Sequence, residues 1–129
     1  MITKDINGVV YVIDSAFYPV KPASQVRLTA EVGGFQAGGT SYSWQGNQMV
    51  GSPNFVDQPI NPPGANIGST TLHCMTKVMD IRPETNQTAV TYTLKGGTQE
   101  QVFPYGVQVA HEDGLAVYQV TFIFVEQTP

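Results

Sequence analysis

The segment from Leu115 to Val125 constrains the fold most, because it is apolar on both faces of a predicted strand. One face carries Ala116, Tyr118, Val120, Phe122 and Phe124, and the other carries Leu115, Val117, Ile123 and Val125. Successive side chains of a strand point to opposite sides, so one face can meet the core of the domain. The second face needs a second sheet, a long loop or another subunit. We therefore name Leu115, Val117, Ile123 and Val125 as a candidate protein interface.

Alternating apolar and polar residues elsewhere predict an all-β fold. Strands are predicted at residues 9–13, 26–32, 41–45, 70–80, 88–95, 101–110 and 115–125. Pro19 and Pro22 are expected to exclude a central strand after residue 13. Gly33-Gly34 and Gly38-Gly39 are expected in turns, and Gly96-Gly97 and Glu112-Asp113-Gly114 favour hairpins. The last three strands are then an antiparallel meander. The fold class is a two-sheet antiparallel β-sandwich, with one domain over residues 1–129.

Residues 46–69 form a long segment with four prolines and four glycines. That composition denies the segment a stable helix, and unstructured connections of this length are uncommon in compact domains. Its apolar residues argue against disorder, because disordered segments are poor in such groups. We expect an ordered Pro/Gly-rich loop that packs over a sheet edge or reaches a neighbour, with one short strand near residues 54–57.

The charge composition bears on the class of partner. Charged residues make up only 12% of the 129 residues and the net charge is −4, against a usual charged share of about 25%. Six scattered Lys and Arg residues form no basic stripe, so nucleic acid is not an expected partner. The longest apolar run is too short for a membrane helix, and no membrane insertion is expected. The start of the chain lacks the pattern of a signal peptide. The neutral polar surface favours a virion or extracellular location.

Three segments resemble strands B, C and F of an immunoglobulin-like sandwich of the bacterial and phage type: residues 26–32, 41–44 and 71–74. Trp44 fits the core tryptophan of the third strand. Leu28 stands at the position of the B-strand cysteine and Leu72 at that of the tyrosine-corner residue. The resemblance therefore implies the sandwich without that disulfide and without that hydrogen bond.

No catalytic set is recognisable in the sequence. His73 and His111 are the candidate bases at neutral pH, and Cys74 is the single cysteine. His73 and Cys74 are neighbours in a predicted strand, so their side chains point to opposite faces and cannot pair. The run His111-Glu112-Asp113 holds three metal-ligand types, but adjacent ligands lack the spacing of a structural zinc site. Turn chemistry explains Asp113-Gly114 more simply. We expect no enzyme activity, no metal and no other cofactor.

Aromatic residues in turn-rich segments give the second hypothesis about function. They are Phe17, Tyr18, Phe35, Phe55, Phe103 and Tyr105. Such rings can stack on a sugar while neighbouring polar side chains bond its hydroxyls, or they can cap the ends of the core. On the first alternative, Phe55, Asp57 and Tyr105 are a candidate glycan-binding loop.

The leading hypothesis from the sequence is a structural or adhesive module of a larger assembly, such as a phage particle or a bacterial surface fibre. It is expected to be non-enzymatic, to act through protein contacts and to self-associate. A lectin-like carbohydrate-binding module is the alternative.

Overall fold

The computed structural model describes residues 1–34, 36–50, 54–82, 85–111 and 113–127. The described residues form an all-β structure of two stacked, mostly antiparallel sheets, as the alternation of the sequence predicts. The larger sheet has the strand order β1-β2-β10-β7-β4-β5. Its strands are β1 (Ile2–Ile6), β2 (Val9–Val20), β4 (Ala37–Trp44), β5 (Asn47–Val50), β7 (Thr71–Met79) and β10 (Leu115–Glu126).

The smaller sheet has the order β6-β3-β8-β9. Its strands are β3 (Arg27–Val32), β6 (Phe55–Pro59), β8 (Gln87–Lys95) and β9 (Gln101–Gln108). Alternate residues of both sheets point inward and form one hydrophobic cluster between the layers. The inward face predicted for β10 is buried. Also buried are Tyr42 and Trp44 on β4, Leu72, Cys74 and Val78 on β7, and Val90, Tyr92 and Leu94 on β8.

Tyrosine hydroxyls connect the two sheets through this core. Tyr92 on β8 is hydrogen-bonded to Thr76 on β7, and Tyr118 on β10 lies 2.7 Å from the Thr88 hydroxyl on β8. A buried hydroxyl costs free energy unless it finds a partner. These bonds therefore let the core hold large tyrosines while fixing how the sheets lie on each other.

Strand β2 is longer than predicted. It continues through Pro19 to Val20, and β1, which the sequence did not predict, pairs only with residues 9–13. Beyond that point β2 is an edge on the side away from β10. The Pro19 carbonyl accepts a hydrogen bond there from Thr98 N, so the proline nitrogen also faces the outside and costs the sheet no bond.

The predicted C-terminal meander is wrong. Strands β8 and β9 form the expected hairpin, but β10 crosses to the larger sheet and lies between β2, to which it is parallel, and β7. The segment that precedes β10 therefore joins two sheets instead of closing the hairpin predicted at Glu112-Asp113-Gly114. Glu112 itself lies outside the described residues. The doubly apolar β10 thus occupies the centre of the larger sheet, where a strand is flanked on both sides.

Two glycines expected in a turn lie inside β4. A Cβ added to Gly38 would stand 2.8 Å from Lys77 O and 2.9 Å from Val32 Cγ2. The backbone of β4 can lie this close to Lys77 and Val32 because Gly38 has no side chain. This close approach explains why a glycine stands at position 38 inside the strand.

The segment 46–69 contains more regular structure than expected. It holds β5, which was not predicted, and β6, which corresponds to the short strand expected near residues 54–57. The buried Asn61 orders the residues that follow: its side chain accepts a hydrogen bond from Val26 N and donates to Ser24 O and Ala65 O.

Candidate functional site

The outer face of the larger sheet holds the interface residues predicted from the sequence. Leu115, Val117, Ile123 and Val125 alternate along β10 and point away from the core. Val117 is buried by its neighbours, Leu115 and Ile123 are half-buried, and Val125 is 40% exposed. The strand register aligns Leu115 with Val9, and Ile123 with Phe17.

Further apolar side chains extend this surface over β1 and β2. We define the apolar patch as Ile2, Ile6, Val9, Tyr11, Phe17, Leu115, Val117, Ile123 and Val125. Ile2 is 55% exposed, Ile6 52% and Phe17 67%. Exposed apolar residues grouped on one face mark interaction sites more often than single ones do.

Charge is sparse on this outer face. By the strand register, Lys4 and Lys77 are the charged side chains at its described outward positions, and they flank Tyr11 and Val117 in one cross-strand row. His73 lies further along β7, and the described outward positions carry no carboxylate. The face therefore combines apolar, neutral polar and a few cationic groups.

Neutral polar side chains occupy the middle of β10 and the side of the face towards β5. We define the polar groove as Ser41, Ser43, Gln45, Gln48, Thr71, His73, Gln119 and Thr121. Two adjoining depressions of about 370 and 340 Å³ lie among these residues and share Ser43 and His73. Small serines on β4 stand beside longer side chains on β5 and β7, and this difference in size forms the hollow.

The ring of His73 is fixed at the junction of the two depressions. Its Nδ1 lies 3.1 Å from Thr121 Oγ1, and its Nε2 lies 3.4 Å from Thr71 Oγ1. A neutral imidazole has one donor and one acceptor, and threonine hydroxyls can match either. The two contacts orient the ring and leave it exposed to solvent.

The residues of the predicted glycan-binding loop lie at two different edges of the smaller sheet. Phe55 on β6 is buried, and the centroid of its ring lies 5.3 Å from that of Tyr42. Asp57 Oδ1 lies 3.7 Å from Lys95 Nζ. Tyr105 is on β9, at the opposite edge. The fold therefore does not bring Tyr105 to Phe55 and Asp57. Of the other aromatics, Tyr18 is buried, Phe103 packs on the core and Phe17 is exposed, whereas Phe35 lies outside the described residues.

Tyr105 makes a structural contact instead. Its hydroxyl donates a 2.7 Å hydrogen bond to Asp14 Oδ2, which ties β9 to β2. Burial raises the pKa of Asp14, but hydrogen bonds from Tyr105 and from the Ser15 backbone, with the amino group of Met1, outweigh burial. The pKa of Asp14 therefore lies below its usual value.

Stability should depend on this contact in a defined pH range. A carboxyl whose pKa is lowered by folding stabilises the protein above its unfolded pKa of about 3.9, and that contribution is lost as the pH falls through the folded value. We expect Tyr105→Phe to raise the pKa of Asp14 and to reduce the loss of stability between neutral and acidic pH. NMR titration of the Asp14 carboxyl carbon measures the first effect. An unchanged pKa in the variant would contradict the assignment.

Cys74 and His73 point to opposite faces of β7, as predicted. Cys74 is buried in the core, and burial raises the pKa of its thiol far above the usual value. A thiol held in the protonated form is a poor nucleophile. The pair therefore offers no Cys–His chemistry.

The candidate metal ligands fall partly outside the described residues, because Glu112 does. Among the residues that are described, no group of three His, Cys, Asp or Glu side chains is arranged to hold an ion. Asp113 has a φ of 65° in the turn before β10. We expect EDTA to leave the melting temperature unchanged, because backbone hydrogen bonds from Asp113 N to Asp80 O and from Gly114 N to His111 O hold this turn. A fall of several degrees that calcium or zinc restores would establish a metal site there.

Comparisons of the chain with models of protein families, with curated proteins and with solved structures give no match. The described part of the chain contains no helical segment with the length and apolarity needed to cross a bilayer. Function must therefore be inferred from the residues of the outer face.

Proposed function

We propose that this domain is a non-enzymatic structural or adhesive module that assembles with other protein subunits through the apolar patch. The observation that carries the proposal is the exposure of Ile2, Ile6 and Phe17, each more than half accessible, on one sheet face. Side chains of this size forgo roughly 1.5–3 kcal/mol each when they are left in water instead of being fully buried. A partner that covers the patch recovers part of that free energy.

The dimensions of the patch support the same proposal. Two strands of twelve residues and one of five, at a spacing of about 4.8 Å and a rise of about 3.3 Å per residue, cover roughly 460 Å². A specific interface takes about 800 Å² from each partner. The patch would therefore supply a little over half of one side, and the neighbouring polar residues would supply a rim of the kind that surrounds an apolar interface centre.

We propose also that the sandwich is related to the immunoglobulin-like type. In support, the segments that resemble strands B, C and F lie in β3, β4 and β7, and β4 and β7 are paired in one sheet while β3 lies in the other. In the immunoglobulin arrangement, F is followed directly by G. Here β8 and β9 come between β7 and β10 in the chain. The two folds would therefore share the arrangement of the sheets and the core, but would differ in how the chain connects the strands.

The expected partner includes a second copy of the chain, and the size of the particle in solution tests this. We expect light scattering at micromolar concentration to give more than the monomer mass for the wild type. Ile123→Lys places a charge in the patch and should shift the mass to that of a monomer while the melting temperature stays close to the wild-type value.

Thr93→Lys is the matched control, because Thr93 is a half-buried position on a central strand of the other sheet. This variant should associate like the wild type. A monomeric wild type would refute self-association, and so would an Ile123→Lys variant that remains folded and associated.

A virion or extracellular surface is the location that we propose for such a module. The alternative, carbohydrate binding by Phe55, Asp57 and Tyr105, has less support. Phe55 is packed on Tyr42 and the Tyr105 hydroxyl is engaged by Asp14, so neither aromatic residue is free to face a sugar. Nucleic acid remains disfavoured by the net charge of −4.

A further inference from the structure

The polar groove crosses the strands of the larger sheet instead of following one of them. Its residues lie in neighbouring cross-strand rows, because the register places Ser43 beside both His73 and Gln48, and His73 beside Thr121. Met75 is aligned with Ser41 and Gln119 in the next row. From β2 to β5 the rows span four strand spacings of about 4.8 Å, or roughly 19 Å.

Several polar side chains of the groove are free to bond a ligand. Ser41, Ser43, Gln48 and Gln119 make no side-chain hydrogen bond to another residue in the described part of the chain, whereas His73 is held in place by Thr71 and Thr121. Serine hydroxyls and glutamine amides both donate and accept. A ligand that matches such a set carries groups that also do both, such as the hydroxyls of a sugar or the amides of a peptide.

The groove is also neutral. The residues that line its two depressions include no Asp, Glu, Lys or Arg. A phosphate, sulfate or carboxylate that bound there would lose its hydration without gaining a counter-charge. Such a transfer costs free energy. The ligand with the best match is therefore uncharged.

We propose that the polar groove binds a neutral oligosaccharide, which lies across β10, β7, β4 and β5. Ser43 and the fixed ring of His73 lie at its centre, Ser41, Gln48, Gln119 and Thr121 bond the sugar hydroxyls, and Ile13 and Met75 offer apolar contact to the carbon-bearing face of a ring. The two depressions, of about 370 and 340 Å³, are each within the size range of small-ligand sites.

An extended peptide fits the groove less well. Peptides gain affinity on sheets by adding a strand to an edge, where main-chain groups are unpaired. The groove lies on the face, and β4, β7 and β10 are each paired on both sides, so their main-chain groups are already used. The free edge of β5 lies at the end of the groove and not along it. Only side chains face the ligand, which favours a molecule rich in hydroxyls.

This site overlaps the interface proposed above at one end. Gln119 and Thr121 of the groove lie between Val117 and Ile123 of the apolar patch on β10, and Ile13 lies between Tyr11 and Phe17 on β2. From there the groove extends over β7, β4 and β5, beyond the patch. A protein that covers the whole patch would therefore compete with a saccharide at the β10 end of the groove. The two proposals can still fail independently, because one is tested by mass and the other by ligand binding.

NMR titration of the ¹⁵N-labelled full chain tests the proposal. The probes are four neutral tetrasaccharides, made of β-linked glucose, α-linked glucose, mannose or N-acetylglucosamine, together with a sulfated disaccharide. We expect at least one neutral probe to shift the amide signals of β4, β7 and β10 in a saturable manner with a Kd of about 1 mM or tighter. The sulfated probe should give no saturable shift.

Ser43→Phe places a ring at the position that the two depressions share. It should weaken binding of that probe at least tenfold while the spectrum stays that of a folded protein. Thr91→Phe is the matched control, since it places the same ring at a half-buried outward position of the other sheet, and it should bind like the wild type. Absence of a saturable shift with every neutral probe overturns the proposal. Shifts confined to other strands, or equal binding by both variants, also overturn it, and binding of the sulfated probe alone overturns its neutral character.

Discussion

Replacing Trp44 with alanine is expected to lower the free energy of unfolding by about 3–5 kcal/mol, the range for a buried large aromatic residue. Trp44 is 5% exposed at the end of β4, and its Nε1 donates a 2.8 Å hydrogen bond to Thr70 Oγ1. The substitution removes the ring from the core and leaves this hydroxyl without its donor. Because domains are stable by only about 5–15 kcal/mol, the loss is a large share of the total.

Urea unfolding followed by circular dichroism measures this effect. Trp44→Phe keeps much of the apolar contact and loses the indole N–H, so its cost should be smaller than that of the alanine variant. Gln45→Ala, at the adjacent exposed position, is the surface control and should lie within about 0.5 kcal/mol of the wild type. An alanine variant at Trp44 no less stable than the Gln45 control would show that the ring is not part of the core.

A single methyl group added at Gly96 should destabilise the fold by about 2–5 kcal/mol, the sum of a left-handed backbone and a clash. Gly96 has a φ of +92°, and a Cβ built there would stand 2.0 Å from Gln25 O and 3.0 Å from the Gln25 carbonyl carbon. Both atoms belong to the backbone, so no side chain can rotate away. The strand ends around β8 must therefore move apart in Gly96→Ala.

Gly46→Ala separates the two causes of that cost. Gly46 has a φ of +80°, close to that of Gly96, but an added Cβ meets nothing within 4 Å. This variant should lose only the backbone contribution of about 1–2 kcal/mol. Equal losses in the two alanine variants, measured by the same urea titration, would mean that contact with Gln25 does not matter.

The inward faces of the long strands could be predicted from the sequence because alternation reports burial directly. The inner residues of β7, β8 and β10 follow this pattern, and they form the core. Strand β1 has no such pattern, since all five of its side chains are exposed. Strand β2 can continue through Pro19 because one of its edges has no neighbouring strand there. The arrangement of the neighbouring strands determines this, and the sequence of β2 does not show it.

The polar groove could not be found from the sequence for a related reason. Ser43, His73 and Thr121 are far apart in the chain, and each reads as an ordinary outward residue of its own strand. They become neighbours only through the pairing of β4 with β7 and of β7 with β10. The prediction of a meander placed β10 beside β9, which would have kept Thr121 away from His73. The outward residues of β10, by contrast, were identified as an interface candidate because strand periodicity is local.

The parallel pairing of β2 with β10 also has a kinetic consequence. Val9 is aligned with Leu115, so this ladder joins segments more than 100 residues apart. The entropy of closing so long a loop must be lost before the ladder forms, and folding rates fall as such distant contacts accumulate. We infer slow folding with a late closing step. Until β10 inserts, β2 and β7 each expose an unpaired edge, and neither edge can be covered before residues 115–126 have been synthesised.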